Sequence, residues 1–291
     1  MQSSNRHATL AAVGGRSVAA DFLDLAPQRA VRGELRLPGS KSISNRVLLL
    51  AALSEGTTRI AGLLASDDTA VMIDSLRQLG AAIDADGPDI TQVSCAPGRF
   101  ARESRRLFVG NSGLTIRTLV PIIVAALDGF DSSGVAIELT GVARMHERPI
   151  GDLVDGLVAI GASIECTGQP GYPPLVIHGS ATPARLTREV RIKGSTSSQF
   201  LTGLLQAAPM LSAHGDVVIE VVGELISRPY VEITIALLTR FGVAVERLDG
   251  QRFRIAAGSQ LRSPGAIGVE GDASSASYFL AAGAIAGGRC A

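Results

Sequence analysis

The chain has 291 residues, of which 46% are hydrophobic and 19% charged, and its 27 basic and 27 acidic residues give a formal net charge of zero. That length holds one large domain or two ordinary ones, and the even charge balance weighs against nucleic acid or an anionic membrane as partner. Aromatic residues make up 4% and tryptophan is absent, so the core must be built from Ala, Val, Leu and Ile. Cys95, Cys166 and Cys290 are far apart and in no metal-like spacing, which implies reduced thiols in a cytoplasmic protein.

Residues 1–20 read as a loose N-terminal extension. Over 8–20 they are small and weakly apolar, broken by Gly14, Gly15 and Arg16, and make a poor signal peptide. No apolar run reaches the length of a membrane span. Alternation at Val31, Gly33, Leu35 and Leu37 predicts a strand. It ends in Leu37-Pro-Gly-Ser-Lys-Ser-Ile-Ser-Asn-Arg46, which runs into an Ala/Leu-rich helix. Pro38 and Gly39 stop the strand, and Ser40, Ser42 and Ser44 offer helix caps. Lys41 and Arg46 add cations where free N–H groups and the helix dipole already favour an anion. The segment alone fits a phosphate or carboxylate site, and equally a well-capped helix with a solvated Lys and Arg.

A repeat separates those readings. Leu76-Arg-Gln-Leu-Gly-Ala-Ala-Ile83 is echoed by Leu157-Val-Ala-Ile-Gly-Ala-Ser-Ile164 and by Leu238-Thr-Arg-Phe-Gly-Val-Ala-Val245, so that Gly80, Gly161 and Gly242 recur every 81 residues. Each marks an amphipathic helix ending at a glycine, followed by a short alternating strand. Upstream of each lies a second, more apolar helix, over about 44–53, 113–127 and 197–208. Turn residues at 85–87, 167–168 and 248–250 predict hairpins. The sequence thus predicts three units of strand, helix, strand, helix and two strands.

The apolar helices open alike, at Gly39-Ser-Lys-Ser, Gly110-Asn-Ser-Gly113 and Gly194-Ser-Thr-Ser-Ser-Gln199, with Arg46, Arg117 and Gln199 close behind. In a pseudo-threefold arrangement these mouths would pool backbone donors around one anion. The amphipathic helices open after Ser66-Asp-Asp68, Glu147-Arg-Pro149 and Ser227-Arg-Pro229, with Pro149 and Pro229 expected in the first turn. Arg148 and Arg228 are candidates for a carboxylate fork. A fourth opening, Glu270-Gly-Asp-Ala-Ser-Ser-Ala-Ser-Tyr-Phe-Leu-Ala-Ala282, starts a further unit that the remaining residues do not finish. The sequence therefore reads as a truncated product whose last helix exposes an apolar face. His7, His146, His178 and His214 show no metal spacing.

Six motifs in order, 37–46, 110–113, Arg-Met-His-Glu-Arg-Pro-Ile-Gly (144–151), Ser-Ser-Gln-Phe (197–200), Ser-Arg-Pro-Tyr (227–230) and 270–279, resemble the 3-phosphoshikimate 1-carboxyvinyltransferase (5-enolpyruvylshikimate-3-phosphate synthase) family over about residues 22–291. The resemblance implies an α/β (α+β) fold. It has one complete enolpyruvyl transferase-type lobe of three βαβαββ repeats about a pseudo-threefold axis, over 39–267. Part of a second such lobe lies in 21–38 and 268–291. It implies transfer of the enolpyruvyl group of phosphoenolpyruvate to the 5-hydroxyl of shikimate 3-phosphate, in aromatic amino acid biosynthesis. No metal and no cofactor are implied, and the protein is expected to be a cytoplasmic monomer.

Carried over residue by residue, Ser42, Arg46, Ser197, Ser198 and Ser227 would hold shikimate 3-phosphate, and Gln199 would touch both substrates. Lys41 would sit between them, bind phosphate and assist proton transfer. Gly113 and Arg148 would meet phosphoenolpyruvate. Two polyanions held side by side need cations and helix N-termini to offset their repulsion. Leu114 and Thr118 depart from the family's more usual Thr and Pro, so sensitivity to phosphonate inhibitors of that subsite is not expected. The family's general acid and base carboxylates would lie beyond Ala291, leaving this chain inactive alone. The rival readings are a non-catalytic binder of shikimate 3-phosphate and an inert lobe.

Overall fold

The computed structural model describes residues 30–87, 89–96, 99–193 and 197–290. The extension over 1–20 with His7, the start of the 21–38 segment, residues 194–196 of the third helix opening and the Cys290 side chain lie outside that description. In chain order the elements are β1 (Val31–Gly33), α1 (Lys41–Leu53), β2 (Thr58–Ala61), α2 (Asp67–Gln78), β3 (Ala81–Ala85), β4 (Ile90–Cys95), β5 (Arg105–Phe108) and α3 (Gly113–Asp128). There follow β6 (Ala136–Thr140), a 3-10 turn (Ala143–Glu147), α4 (Gly151–Ala159), β7 (Ser163–Cys166), β8 (Leu175–His178), β9 (Glu189–Lys193) and α5 (Ser198–Leu211). The chain then runs through β10 (Val217–Val222), α6 (Arg228–Arg240), β11 (Glu246–Arg247), β12 (Arg252–Ile255), β13 (Ala266–Gly268), α7 (Ala273–Ala286) and β14 (Gly288–Cys290).

Residues 36–276 form one compact unit. It contains three four-stranded sheets of one plan, in the orders β13-β2-β4-β3, β5-β6-β8-β7 and β9-β10-β12-β11. Each starts with a parallel pair and continues into an antiparallel hairpin, as where Leu107 lies opposite Leu139 and Ile137 opposite Ile177. One expectation fails here. The strand predicted over 31–37 does not open the first unit. β1 is only three residues long and pairs in parallel with β14, Val31 opposite Gly288. Its place in the first sheet is taken by β13, with Ile267 opposite Ile60. Leu35 and Leu37 continue the apolar alternation, but Pro38, lacking an N–H, and the bridge from Gly39 to Gly271 redirect the chain. The second predicted hairpin also differs. β7 and β8 close only between Cys166 and Leu175, because Pro170, Pro173 and Pro174 have no N–H to extend the ladder.

Periodicity sorts the helices into two kinds. Every residue of α3 from Gly113 to Leu127 is buried, and most of α1 and α5 likewise, so these are central helices, apolar on all sides. Helices α2, α4 and α6 bury only a stripe, such as Met72 and Leu76, Leu153 and Leu157, or Val231 and Leu238. After each, Gly80, Gly161 and Gly242 take φ of +108°, +108° and +84°, the left-handed conformation the repeat predicts. Pro229 stands in the first turn of α6, but Pro149 does not stand in that of α4. Ile150 is the N-cap there, and the 3-10 turn before it consumes the intervening residues.

The other unit comprises the flanking segments up to Leu35 and from Ser277. Its sheet is the β1–β14 pair. No residue of α7 is buried, and Tyr278, Leu280 and Ile285 are largely exposed.

Candidate functional site

The mouths of the central helices are built by local rules. Gly39 is required because a Cβ there would sit 2.1 Å from the Gly62 carbonyl oxygen. Ser40 occupies the N-cap of α1 but makes no side-chain cap bond, and its N–H donates to Glu270 O at 2.9 Å instead. Ser44, a candidate cap, is buried and accepts from the Leu64 N–H. Ser112 caps α3 by accepting from the Thr115 N–H, and Ser197 caps α5 by accepting from the Gln199 N–H at 3.2 Å. Ser227 starts α6 at φ +53°, a left-handed conformation uncommon for serine, and makes no cap bond. Its hydroxyl is thereby left for another partner.

These starts converge. A cavity of about 300 Å³ is lined by Ser42, Arg46, Ser197, Ser198, Gln199 and Ser227, together with Leu114, Ile226 and Tyr230. Six of the nine sequence-selected residues, drawn from α1, α5 and α6, therefore share one wall. Gly113 and Arg148 form a second cluster beside it. The Arg148 guanidinium donates to Asn111 O at 2.8 Å, and its Cζ lies 2.5 Å from where a Gly113 Cβ would stand. Lys41 stands apart from this lining, with its ammonium 3.5 Å from the Asp68 carboxylate. Arg228 is exposed and also outside the lining.

Arg46 is almost fully buried, at 2% exposure. Its Nε donates to Thr234 Oγ1 at 2.9 Å, Nη1 to Ser42 O at 2.8 Å and Nη2 to Thr202 Oγ1 at 3.0 Å, while the Tyr230 ring centroid lies 6.0 Å from its Cζ. Three of five N–H donors are used, which leaves one on each terminal nitrogen. Arg117 is also buried. It donates from Nη1 to Gln199 Oε1 at 2.8 Å and from Nη2 to Pro149 O at 2.9 Å. Burial pushes the Arg46 pKa down to about 10. Burial, and then the charge of Arg148, push Arg117 down to about 10 as well. Both stay cationic at neutral pH. Among the described residues, no carboxylate pairs with Arg46, Arg117 or Arg148. Buried cations without a counter-charge are costly, and a bound anion is the natural relief.

Sequence reasoning missed the side chains that hold these arginines. Thr202 and Thr234 lie 156 and 188 residues from Arg46, and only the fold brings them together. Arg117 had a signal: it stands seven residues after Gly110, as Arg46 stands seven after Gly39.

The family model of EPSP synthase (3-phosphoshikimate 1-carboxyvinyltransferase) matches residues 25–291. The chain belongs to this family. It is 53% identical to a 3-phosphoshikimate 1-carboxyvinyltransferase of Ralstonia pickettii over 268 residues, and 56% identical to that of Bordetella bronchiseptica over 271. Each comparison covers 92% of this chain and 60% or 59% of the relative, so the chain spans about three-fifths of the length of these curated relatives. Among solved structures, an EPSP synthase from Acinetobacter baumannii superposes with a TM-score of 0.71 at 26% identity, covering 88% of this chain and 54% of that one. The three-repeat α/β lobe expected from the resemblance is the fold observed.

Gly113→Ala gives a first test of the second cluster. The three atoms nearest the new methyl group all belong to the Arg148 guanidinium, the far end of a flexible side chain, so we expect the guanidinium to swing away with the fold intact. We expect inorganic phosphate to bind there roughly tenfold or more weakly, since a charge-assisted contact is lost. Phosphate affinity unchanged from the parent chain, read by calorimetry, would show that the second cluster does not receive the anion.

Proposed function

We propose that this chain is the shikimate 3-phosphate-binding part of an enolpyruvyl transferase acting on phosphoenolpyruvate and shikimate 3-phosphate. The observation that carries the reading is the cavity at the converging helix starts, where four serines and Gln199 surround the buried, carboxylate-free Arg46. In this reading Ser42, Arg46, Ser197, Ser198 and Ser227 hold shikimate 3-phosphate. Gln199 bridges the two substrates, and Gly113 and Arg148 receive the anionic end of phosphoenolpyruvate. Lys41 leaves Asp68 to stand between them, binding phosphate and relaying a proton. The 5-hydroxyl gives up its proton to a base and its oxygen bonds to C2 of phosphoenolpyruvate, while C3 takes a proton to become a methyl group, giving a tetrahedral ketal phosphate. Phosphate then leaves C2 as one proton leaves the C3 methyl group, and the C2–C3 double bond re-forms as the enol ether. The protein acts as a monomer in the cytoplasm, the compartment that the free thiols of Cys95 and Cys166 support.

Among the described residues lining the cavity there is no Asp or Glu. A carboxylate general base must therefore come from elsewhere, and we expect the 291-residue chain to bind without turning over. Titration of the chain with shikimate 3-phosphate should give saturable heat, and adding phosphoenolpyruvate should release no phosphate. Absence of binding at millimolar ligand would reject the proposed site. Sustained phosphate release would show that the chain already contains the proton-transfer groups.

A further inference from the structure

We propose that Arg117 is a positioning residue, which fixes the Gln199 side-chain amide so that its NH2 group, and not its oxygen, serves the cavity. The inference deepens the reading of this cavity as the shikimate 3-phosphate site and rests on it. Arginine has donors only, so the Gln199 atom 2.8 Å from Arg117 Nη1 is its oxygen on chemical grounds. With Oε1 committed to the guanidinium, Nε2 is the polar end that remains for a ligand of the cavity that Gln199 lines. Turning the amide over would set donor against donor at Arg117 and present a carbonyl oxygen to an anion. Both contacts are repulsive, so the orientation is enforced from both sides.

The guanidinium is itself held rigidly. It is buried, lies 5.4 Å from the Phe200 ring centroid, and spends its other terminal nitrogen on Pro149 O. Pro149 follows Arg148, so the same group pins the backbone that carries the second cluster's cation. Arg117 thus links Gln199 on α5 with the Arg148 loop. Its positive charge adds to the field at both, although two protein acceptors already occupy its fork.

The test is a double-mutant cycle with Arg117→Lys and Gln199→Ala, read by shikimate 3-phosphate titration and by the side-chain amide spectrum of the 15N-labelled chain. Lysine keeps the charge but has no fork to hold both acceptors. We expect each single change to weaken binding about tenfold, and Arg117→Lys to add less than about twofold once Gln199 is Ala. The Gln199 NH2 signals should shift and broaden in Arg117→Lys. Additive losses in the cycle would overturn the proposal, because Arg117 would then act on the ligand without Gln199. If the unmodified chain binds no shikimate 3-phosphate, the site reading fails separately, and the spectrum alone decides. Gln199 signals unmoved by Arg117→Lys overturn the positioning role, and displaced signals uphold it.

Discussion

Arg46→Met should weaken shikimate 3-phosphate binding about a hundredfold while costing the unliganded chain little stability. Two N–H groups remain on the Arg46 fork beyond its three protein bonds, and charge-assisted hydrogen bonds to a phosphate contribute about 1.5–3 kcal/mol each. Losing the pair removes about 3 kcal/mol or more of binding. Stability behaves differently, because two effects oppose. Holding the guanidinium out of water depresses its folded-state pKa to about 10, a penalty on the order of 3 kcal/mol by linkage. For a base with a depressed pKa, that penalty is fully present below about pH 10. It is relieved as the pH rises from there towards the ordinary arginine value, where the unfolded chain also loses its proton. Methionine removes the penalty at neutral pH. Against this, Thr202 and Thr234 lose a donor, but they bond each other at 3.2 Å, and Thr234 Oγ1 donates to Tyr230 O at 2.9 Å, so neither hydroxyl is orphaned. The net change should lie within about 1–2 kcal/mol. Thermal denaturation with and without ligand separates the terms. The unmodified chain gains Tm on adding shikimate 3-phosphate and the variant does not. A variant that unfolds several kcal/mol more easily yet keeps its ligand-induced gain would make Arg46 a structural residue only.

The architecture was legible because it is written three times. The recurrence of Gly80, Gly161 and Gly242 gives the helix ends, and the all-round apolar character of 113–127 marks a central helix without reference to any partner. What the sequence hid are contacts between repeats and closures between distant segments. The fourth strand of the first sheet comes from 266–268, more than two hundred residues after its neighbour β2, and no local pattern announces a pairing at that separation. The same limit applies in the site. Serines at helix mouths are visible as caps, but Ser40 and Ser227 make no cap bond, and which hydroxyls stay available depends on backbone geometry that a list of serines does not contain. Lys41 and Arg46 looked equivalent as cations at one mouth. The helical turn separates them, so that Arg46 is enclosed among Thr202, Thr234 and Ser42 while Lys41 reaches Asp68 at the rim. Arg117 was visible as a charge in the right register. Its hydrogen bond to Gln199, 82 residues away, was not.

Gly203→Ala should destabilise the chain by about 3 kcal/mol or more, against the sign that helix propensity alone gives. Gly203 lies inside α5, where replacing glycine by alanine ordinarily stabilises by about 1 kcal/mol. Here α5 packs directly on α3. A Cβ at this position would stand 2.5 Å from Arg117 O, 2.9 Å from Pro121 Cγ and 3.1 Å from Thr118 Cα. Two of those three neighbours are backbone, so no rotamer change relieves the overlap. Pro121 sharpens the point. Proline has no N–H to donate to the carbonyl four residues earlier, which is that of Arg117, so this oxygen is turned loose from the α3 ladder towards Gly203. Only a residue without a side chain lets the two central helices meet over it. To accommodate a methyl group they must separate by a few tenths of an ångström or more, loosening the core around Leu119, Leu204 and Ile122, and overpacking of this kind costs about 1–3 kcal/mol before the lost contacts are counted. Displacement of α3 at Arg117 should also disturb the Gln199 contact, so ligand affinity is expected to fall with stability. Gly283→Ala is the control, since that helical glycine has no described atom within 4 Å of the added Cβ, and it should be neutral or stabilising by up to about 1 kcal/mol. Urea unfolding of both variants decides the matter. A Gly203→Ala chain as stable as the unmodified one would mean that α3 and α5 do not cross in the close contact described.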